Sequence, residues 1–140
     1  MNAHPDIAPS TDEDQTLALL AHLALTVGLF TGLAYLAGPI IWLLKKDDSP
    51  YIDRHGREVT NVLLTGALYV VIGTILTIVT FGIGAIIIWP LFGLYTILIA
   101  IFGVINGIAA KEGRFKPYPL TARFFKGSPD ESRQTFVPEI

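Results

Sequence analysis

The sequence predicts an all-α, polytopic membrane protein with three transmembrane helices. Apolar residues make up 51% of its 140 residues and charged residues 16%, whereas a soluble domain carries about 25% charged residues. Two long segments, residues 17–44 and 59–110, contain no aspartate, glutamate, lysine or arginine. All ten lysines and arginines lie outside these segments. Composition and charge distribution together indicate that hydrocarbon surrounds most of the chain.

The first apolar segment is longer than one straight crossing requires. A helix needs about 20 apolar residues to cross the hydrocarbon core, and residues 17–44 exceed that length. The helix must therefore tilt, overshoot the bilayer or break. Glycine followed by proline weakens a helix, so we expect one long span that is kinked or broken near Gly38-Pro39. A short re-entrant hairpin is the alternative.

The second apolar segment is long enough for two crossings and too long for one. Gly82 and Gly84 supply the backbone freedom that a tight reversal between helices needs. We therefore place spans at about 59–80 and 84–110, joined by a turn. Because the segment lacks the period-2 alternation of a membrane β-strand, a barrel is excluded.

The remaining segments are polar. Residues 1–15 hold aspartate and glutamate but no lysine or arginine, and a secretory signal needs a basic start. We expect a retained, flexible acidic tail there and a single membrane domain at 16–126. The segment between the first two spans is interpreted as a solvated or interfacial loop, and residues 127–140 are expected to be disordered.

The basic residues predict an orientation. Three spans place the first loop and the C-terminal segment on the same face, and these two regions hold every basic residue: Lys45, Lys46, Arg54, Arg57, Lys111, Arg114, Lys116, Arg123, Lys126 and Arg133. Short loops rich in lysine and arginine stay in the cytoplasm. We therefore expect a cytoplasmic C-terminus and an N-terminus outside. A re-entrant first segment would move only the N-terminus.

Three polar residues in the apolar runs are candidate functional residues: His22, Asn61 and Asn106. Polar groups inside a membrane are costly and often functional. Hydrogen bonding between helices explains the asparagines equally well, and His22 lies near an interface. Haem would need a second axial ligand at the depth of His22, but His4 and His55 are expected elsewhere. No cofactor is predicted.

Small and aromatic residues suggest packing and anchoring. Gly28 and Gly32, and likewise Gly103 and Gly107, have the small-xxx-small spacing that lets two helices approach closely. Aromatic and basic residues alternate near the ends of the spans, where such side chains anchor a protein at headgroup depth. The predicted anchors are Trp42, Lys45, Lys46, Tyr118, Arg123 and Phe124.

Several function classes are excluded. The net charge of -2 does not fit nucleic-acid binding. No phosphate loop, nucleophile elbow or paired buried carboxylates occur, so we expect no enzyme. Asp47, Asp48 and Asp53 lack the spacing of a cation-binding loop and lie among basic residues, so no metal site is predicted.

Four linked segments, 20–23, 38–47, 49–53 and 118–124, resemble a bacterial family of small membrane proteins of unknown function. That family is distantly similar to the twenty-kilodalton subunit of the translocon at the chloroplast inner envelope (Tic-twenty-like). The resemblance implies a multi-pass protein of the bacterial cytoplasmic membrane that serves protein translocation or assembly, or a larger complex.

Two alternative functions are a small oligomeric transporter or channel and a protein that binds anionic lipids. The expected partners are the lipid bilayer, and either other membrane proteins or further copies of this chain.

Overall fold

The computed structural model describes residues 10–127, which form four α-helices. They are α1 (Asp12–Thr31), α2 (Ala37–Lys45), α3 (Pro50–Val79) and α4 (Ala85–Lys111), with a short 3-10 helix at Leu33–Leu36. No strand occurs among the described residues. The predicted all-helical class is confirmed, and α1, α3 and α4 are each long and apolar enough to cross a membrane. The expected tails at 1–9 and 128–140 lie outside the described residues.

The first apolar segment is a helical hairpin. The backbone of Gly32 has φ +67°, a conformation open to glycine, and α1 ends there. The chain then returns along α1 through α2, so that Tyr35 packs on Gly28, and Lys45 reaches Glu13 at 4.0 Å. The hairpin that the sequence left open as an alternative is therefore the observed arrangement.

The break lies at Gly32, six residues before the predicted Gly38-Pro39. Pro39 occupies the first turn of α2, where its missing N–H would have had no helical partner. The start of α1 also differs from prediction, because Asp12–Gln15 belong to the helix rather than to an acidic tail. Thr11 and Asp14 form a capping box that fixes this start.

Helix α3 begins nine residues before the predicted span. The Ser49 hydroxyl accepts a hydrogen bond from the Ile52 N–H at 3.3 Å, and Pro50 follows in the first turn. Both residues favour a helix start. The segment interpreted as a loop is therefore helical from Pro50 onward, and Asp53, Arg54, Arg57 and Glu58 lie on α3.

Helices α3 and α4 form a second, longer hairpin. The turn occupies residues 80–84, where Phe81 (φ 52°) and Gly82 (φ 88°) reverse the chain. The helices run antiparallel, because the Tyr69 and Tyr95 rings meet at 5.1 Å and Gly73 lies against Ile88. At 1.5 Å per residue, the 30 residues of α3 extend about 45 Å.

Helix α1 packs along α4 and closes one end of the bundle. Asp12 forms an ion pair with Lys111 at 2.5 Å, and the Thr26 hydroxyl donates to the Ala100 carbonyl at 2.7 Å. The starts of α1 and α3 therefore lie beside the ends of α2 and α4, an end that we call the basic end. The N-terminus of α1 shares this end with the C-terminal segment, which corrects the predicted opposite placement.

The α1–α2 hairpin reaches only part of the way along α3 and α4. Because Thr26 lies beside Ala100, the end of α1 is level with about Tyr95. Helix α4 then continues ten residues back to Ala85, about 15 Å at 1.5 Å per residue. The buried core consequently lies toward the basic end, formed by Ala21, Leu25, Val59, Val62, Ile99 and Tyr118.

Candidate functional site: a docked C-terminal loop

A row of polar side chains runs along one face of α3. Its members are spaced three or four residues apart, and this spacing aligns side chains on one side of a helix. We call the row the polar ladder, and its members are Tyr51, His55, Glu58, Asn61, Thr65 and Tyr69. All except Tyr69 are buried. A row of buried polar groups needs hydrogen-bond partners.

The C-terminal loop, residues 114–126, supplies partners to four members of the ladder: Glu58, Asn61, Thr65 and Tyr69. The Tyr118 N–H donates to Glu58 Oε1 at 2.6 Å, and the Ala122 N–H donates to the Thr65 hydroxyl at 2.9 Å. The loop has no helix of its own, so its backbone groups depend on such contacts. Irregular backbone at membrane depth is tolerated where protein satisfies it.

Asn61 and Tyr69 complete the docking of the loop. The Asn61 amide donates to the Phe125 carbonyl at 3.0 Å and accepts from the Phe125 N–H at 2.8 Å. The Tyr69 hydroxyl donates to the Leu120 carbonyl at 3.0 Å. Since Tyr69 is the ladder member farthest from the basic end, Leu120 is the tip of the loop. Its φ of 53° is unusual for leucine.

One ion pair reinforces this docking. The Glu58 side chain is 2% exposed and pairs with the guanidinium of Arg123, which is 44% exposed. An isolated buried carboxylate is costly. Glu58 is the one acid that α3 buries, and the loop gives it both a countercharge and a hydrogen bond from the Tyr118 N–H.

Two histidines and a tyrosine form a buried chain beside the ladder. His22 Nδ1 lies 2.7 Å from the Tyr118 hydroxyl, and His22 Nε2 lies 2.9 Å from His55 Nδ1. The two histidines are 0% and 1% exposed. Burial raises the pKa of Tyr118, and the nearby Glu58 carboxylate raises it further. The Tyr118 side chain is therefore a neutral hydroxyl at physiological pH.

The outer nitrogen of His55 faces aromatic groups. His55 Nε2 is buried and has no hydrogen-bond partner among the described residues. The ring of Tyr51 lies 4.5 Å away and that of Phe115 lies 5.2 Å away. The guanidinium of Arg54 covers Phe115 at 4.1 Å. The loop therefore shields the histidine pair through Phe115 as well as Tyr118.

Helix α4 contributes a polar contact to the loop and two close approaches to α1. The Asn106 amide donates to the Lys116 carbonyl at 3.2 Å, near the start of the loop. A Cβ on Gly103 would lie 2.6 Å from the Thr26 hydroxyl, and one on Gly107 would lie 3.0 Å from Leu19. These glycines allow α1 to approach closely, which places His22 beside the loop.

The structure brings together five of the residues that the sequence singled out. His22, Asn61, Asn106, Tyr118 and Arg123 all meet at the C-terminal loop. Gly28 and Gly32 lie away from the C-terminal loop. Gly28 packs on Tyr35, and Gly32 forms the turn, where a Cβ added to it would have no neighbour within 4 Å.

Two predicted headgroup anchors are inside the bundle. Trp42 is 7% exposed, and Tyr118 is 3% exposed. The Trp42 indole donates to Asp53 Oδ1 at 2.8 Å and packs on Phe125 with ring centroids 4.9 Å apart. Docking of the loop buries both rings. The sequence interpretation placed them at the membrane interface and therefore did not predict their burial.

The other predicted anchors lie nearer the surface. Phe124 is 50% exposed, and Lys46 lies 5.6 Å from the Trp42 ring. Lys45 contacts Glu13, and Arg123 contacts Glu58, so both lie beside acidic side chains of the same chain.

Sequence reasoning missed His55, Glu58 and Thr65. One long first span would separate His55 from His22, but the hairpin returns the chain to the same end. A helix start at Ser49-Pro50, together with the spacing from Tyr51 to Asn61, was the signal that could have found these residues.

The chemistry of the site favours holding a loop over holding a ligand. Within residues 10–127, no group of three or more histidine, aspartate or glutamate side chains could hold a metal ion. An open groove of about 550 Å³ lies along α4 at the tip of the docked loop, and its lining is almost entirely apolar: Tyr69, Ile88, Leu91, Phe92, Leu94, Tyr95, Leu98 and Leu120.

Comparison with known proteins corrects the resemblance suggested by the sequence motifs. No curated protein and no solved structure matches the chain. One family model does match, over residues 13–125, and it describes the magnetosome magnetite crystal formation protein family. The Tic-twenty-like assignment is therefore wrong. Since the match covers most of the sequence, the chain belongs to the magnetosome magnetite crystal formation protein family (MamF/MmsF).

Proposed function

We propose that this chain is a non-enzymatic protein of the magnetosome membrane that takes part in magnetite crystal formation. Family membership over residues 13–125 is the observation that carries the proposal. The matched region begins in the first turn of α1 and ends at Phe125 in the C-terminal loop. It therefore contains the four helices and the loop docked against them.

The polar groups of the bundle support a structural role. Glu58, Asn61 and Thr65 hydrogen-bond to backbone atoms of the C-terminal loop. Groups used in this way are not available to bind a substrate. The site therefore supports a membrane scaffold that holds its C-terminal loop against the bundle.

The geometry gives less support to a transporter or channel. Such a function would use His22, Asn61 and Asn106 along an open path, but all three are buried beneath the C-terminal loop. The groove along α4 is apolar and would suit lipid rather than ions.

Binding of anionic lipids is also weakly supported. Several cations at the basic end contact acidic residues of the same chain, including Lys45 with Glu13 and Arg57 with Asp53. These contacts reduce the positive charge available to lipid headgroups.

We also propose that the basic end faces the cytoplasm. The positive-inside rule supports this orientation, because the described lysines and arginines all lie at or near that end. Both the start of α1 and the C-terminal loop then face the cytoplasm.

The test of function is gene deletion and complementation in a magnetite-forming bacterium. Deletion should change the size, shape or number of magnetite crystals seen by electron microscopy, and the unaltered chain should restore them. The variant Asn61→Ala, which loses both bonds to Phe125, should restore them less well at equal membrane abundance.

A matched control is Thr74→Ala. Within residues 10–127, the Thr74 hydroxyl bonds only to the Val70 carbonyl of its own helix, so this variant should complement fully. Normal crystals in the deletion strain, together with a fluorescently tagged chain absent from magnetosomes, would refute the proposal.

A further inference from the structure

The two buried histidines cannot both carry a positive charge while the loop is docked. His22 Nε2 and His55 Nδ1 lie 2.9 Å apart, so one hydrogen lies between them and one of the two nitrogens must accept it. If both rings were imidazolium ions, two N–H groups would point at each other. The docked site therefore holds fewer protons than two solvent-exposed histidines can take up.

The surroundings do not favour extra positive charge. No described hydrogen bond or ion pair joins a carboxylate to either imidazole. The titratable or charged groups facing the pair are Tyr51, Arg54 and Glu58 of α3 and Tyr118 of the loop. Helix α4 contacts His22 through Gly107, and among the described residues no hydrogen bond joins either ring to a charged side chain of α4 or α2. A buried charge without a countercharge is strongly unfavourable.

The C-terminal loop keeps this pair from water. Tyr118 hydrogen-bonds to His22, and Phe115 packs on His55. If residues 114–126 left the ladder, both imidazoles would be uncovered. An exposed histidine takes up a proton near pH 6.5. The undocked state therefore binds more protons than the docked state in mildly acidic solution.

We propose that the C-terminal loop is a proton-controlled latch, docked on the bundle while His22 and His55 are neutral and released as the pair takes up protons. Loop docking is then favoured above the usual pH range of histidine and weakened as the pH falls through it. If the undocked state binds one more proton than the docked state, the equilibrium constant for docking falls about tenfold for each pH unit below about 6.5.

The test is amide hydrogen exchange on the full chain in nanodiscs of uncharged phosphatidylcholine. The Tyr118, Ala122 and Phe125 amides report on docking, because each donates to an α3 side chain. Between pH 6.5 and 5, their protection factors should fall about tenfold per pH unit, while those of the α4 core near Ile99 stay constant. Equal loop protection at pH 8 and pH 5 would overturn the proposal.

Variants identify the titrating groups. His22→Gln and His55→Gln should each flatten the pH dependence, while His4→Gln, which changes the third histidine of the sequence, should leave it unchanged. Glu58→Gln should also preserve the fall below pH 6.5, since the Glu58 carboxylate contacts Arg123 and the Tyr118 N–H and neither imidazole. A fall that disappears in Glu58→Gln and persists in both His22 and His55 variants would contradict the assignment to histidine.

A direct measurement covers the case in which a glutamine variant does not fold. Nitrogen NMR of histidine-labelled, unaltered chain distinguishes neutral rings from imidazolium ions. Proton uptake by the two buried rings should coincide with loss of loop protection. Full protonation of both rings with the loop amides still protected would overturn the proposal.

Discussion

At the scale of single residues, Glu58 shows how this protein retains an acid inside the bundle. Its side chain is 2% exposed, and it contacts the Arg123 guanidinium and the Tyr118 N–H. Each partner comes from the C-terminal loop. The loop therefore supplies the partners that the buried Glu58 of α3 needs, and α3 supplies hydrogen-bond partners to the loop backbone.

Removing the guanidinium should destabilise the protein more than removing the whole charge pair. Arg123→Gln leaves the buried carboxylate with one neutral donor, and because Arg123 is 44% exposed, water offsets part of the loss. We expect a loss of about 1–2 kcal/mol in unfolding free energy, measured by thermal unfolding in mild detergent.

The control for this prediction is the double variant Glu58→Gln/Arg123→Gln. It contains no buried charge and keeps an acceptor for the Tyr118 N–H, so its stability should lie within about 1 kcal/mol of the unaltered chain. A double variant less stable than Arg123→Gln alone would contradict this account of the pair.

Asn61 provides a second residue-scale prediction. Asn61→Ala removes two hydrogen bonds and leaves the backbone groups of Phe125 without these partners. We expect a loss of about 1–3 kcal/mol, together with faster exchange of the Phe125 amide. Thr74→Ala is the control and should change stability by less than about 0.5 kcal/mol. Unchanged Phe125 exchange in Asn61→Ala would contradict the docking role.

The sequence indicated part of this site for a physical reason. Asn61 and Asn106 are conspicuous because the surrounding run is apolar, and a polar side chain there needs a partner. Glu58 and His55 are not conspicuous, because they lie among charged residues that resemble a solvated loop. The partners of Glu58 lie 60 or more positions away in the sequence, and the partner of His55 lies 33 positions away. A local sequence pattern does not reveal contacts at such separations.

At the scale of secondary-structure elements, the hairpin between α1 and α2 sets the topology. Gly32 has φ 67° and ψ -51°, a conformation that L side chains adopt only with strain. The sequence predicts a kink or break near Gly38-Pro39, because both residues disfavour the middle of a helix. Neither breaks the chain here, since both lie in the first turn of α2.

Two glycine substitutions test this account of the turn. Gly32→Ala places a Cβ in open space but on a strained backbone, so it should cost about 1–3 kcal/mol of stability. Gly93→Ala also places a Cβ in open space but within regular helix, so it should be neutral or stabilising by up to about 1 kcal/mol. Equal effects of the two substitutions on thermal unfolding would contradict the turn.

At the scale of the whole molecule, the composition predicted that lipid surrounds the chain and that the fold is all-helical. The arrangement of the helices depends on long-range contacts. The apolar runs were sufficient to predict an all-helical membrane protein. The orientation of the first segment depended on pairings such as Asp12 with Lys111 and Thr26 with Ala100. These residues are separated by 74 to 99 positions, and neither pairing follows from hydropathy.

The central claim is that the start of α1 and the C-terminal loop lie on the same side of the membrane, with the α3–α4 turn on the other. The chain contains no cysteine, so single cysteines introduced at exposed positions can be labelled without background. Suitable variants are Glu13→Cys, Lys126→Cys and Ile83→Cys.

Labelling of intact and inverted membrane vesicles with a membrane-impermeant maleimide tests this claim directly. We predict that Glu13→Cys and Lys126→Cys react only in inverted vesicles, and that Ile83→Cys reacts only in intact ones. Reaction of Glu13→Cys and Lys126→Cys from opposite sides would show that α1 and α2 form a single crossing, and would contradict the hairpin on which the docked-loop site depends.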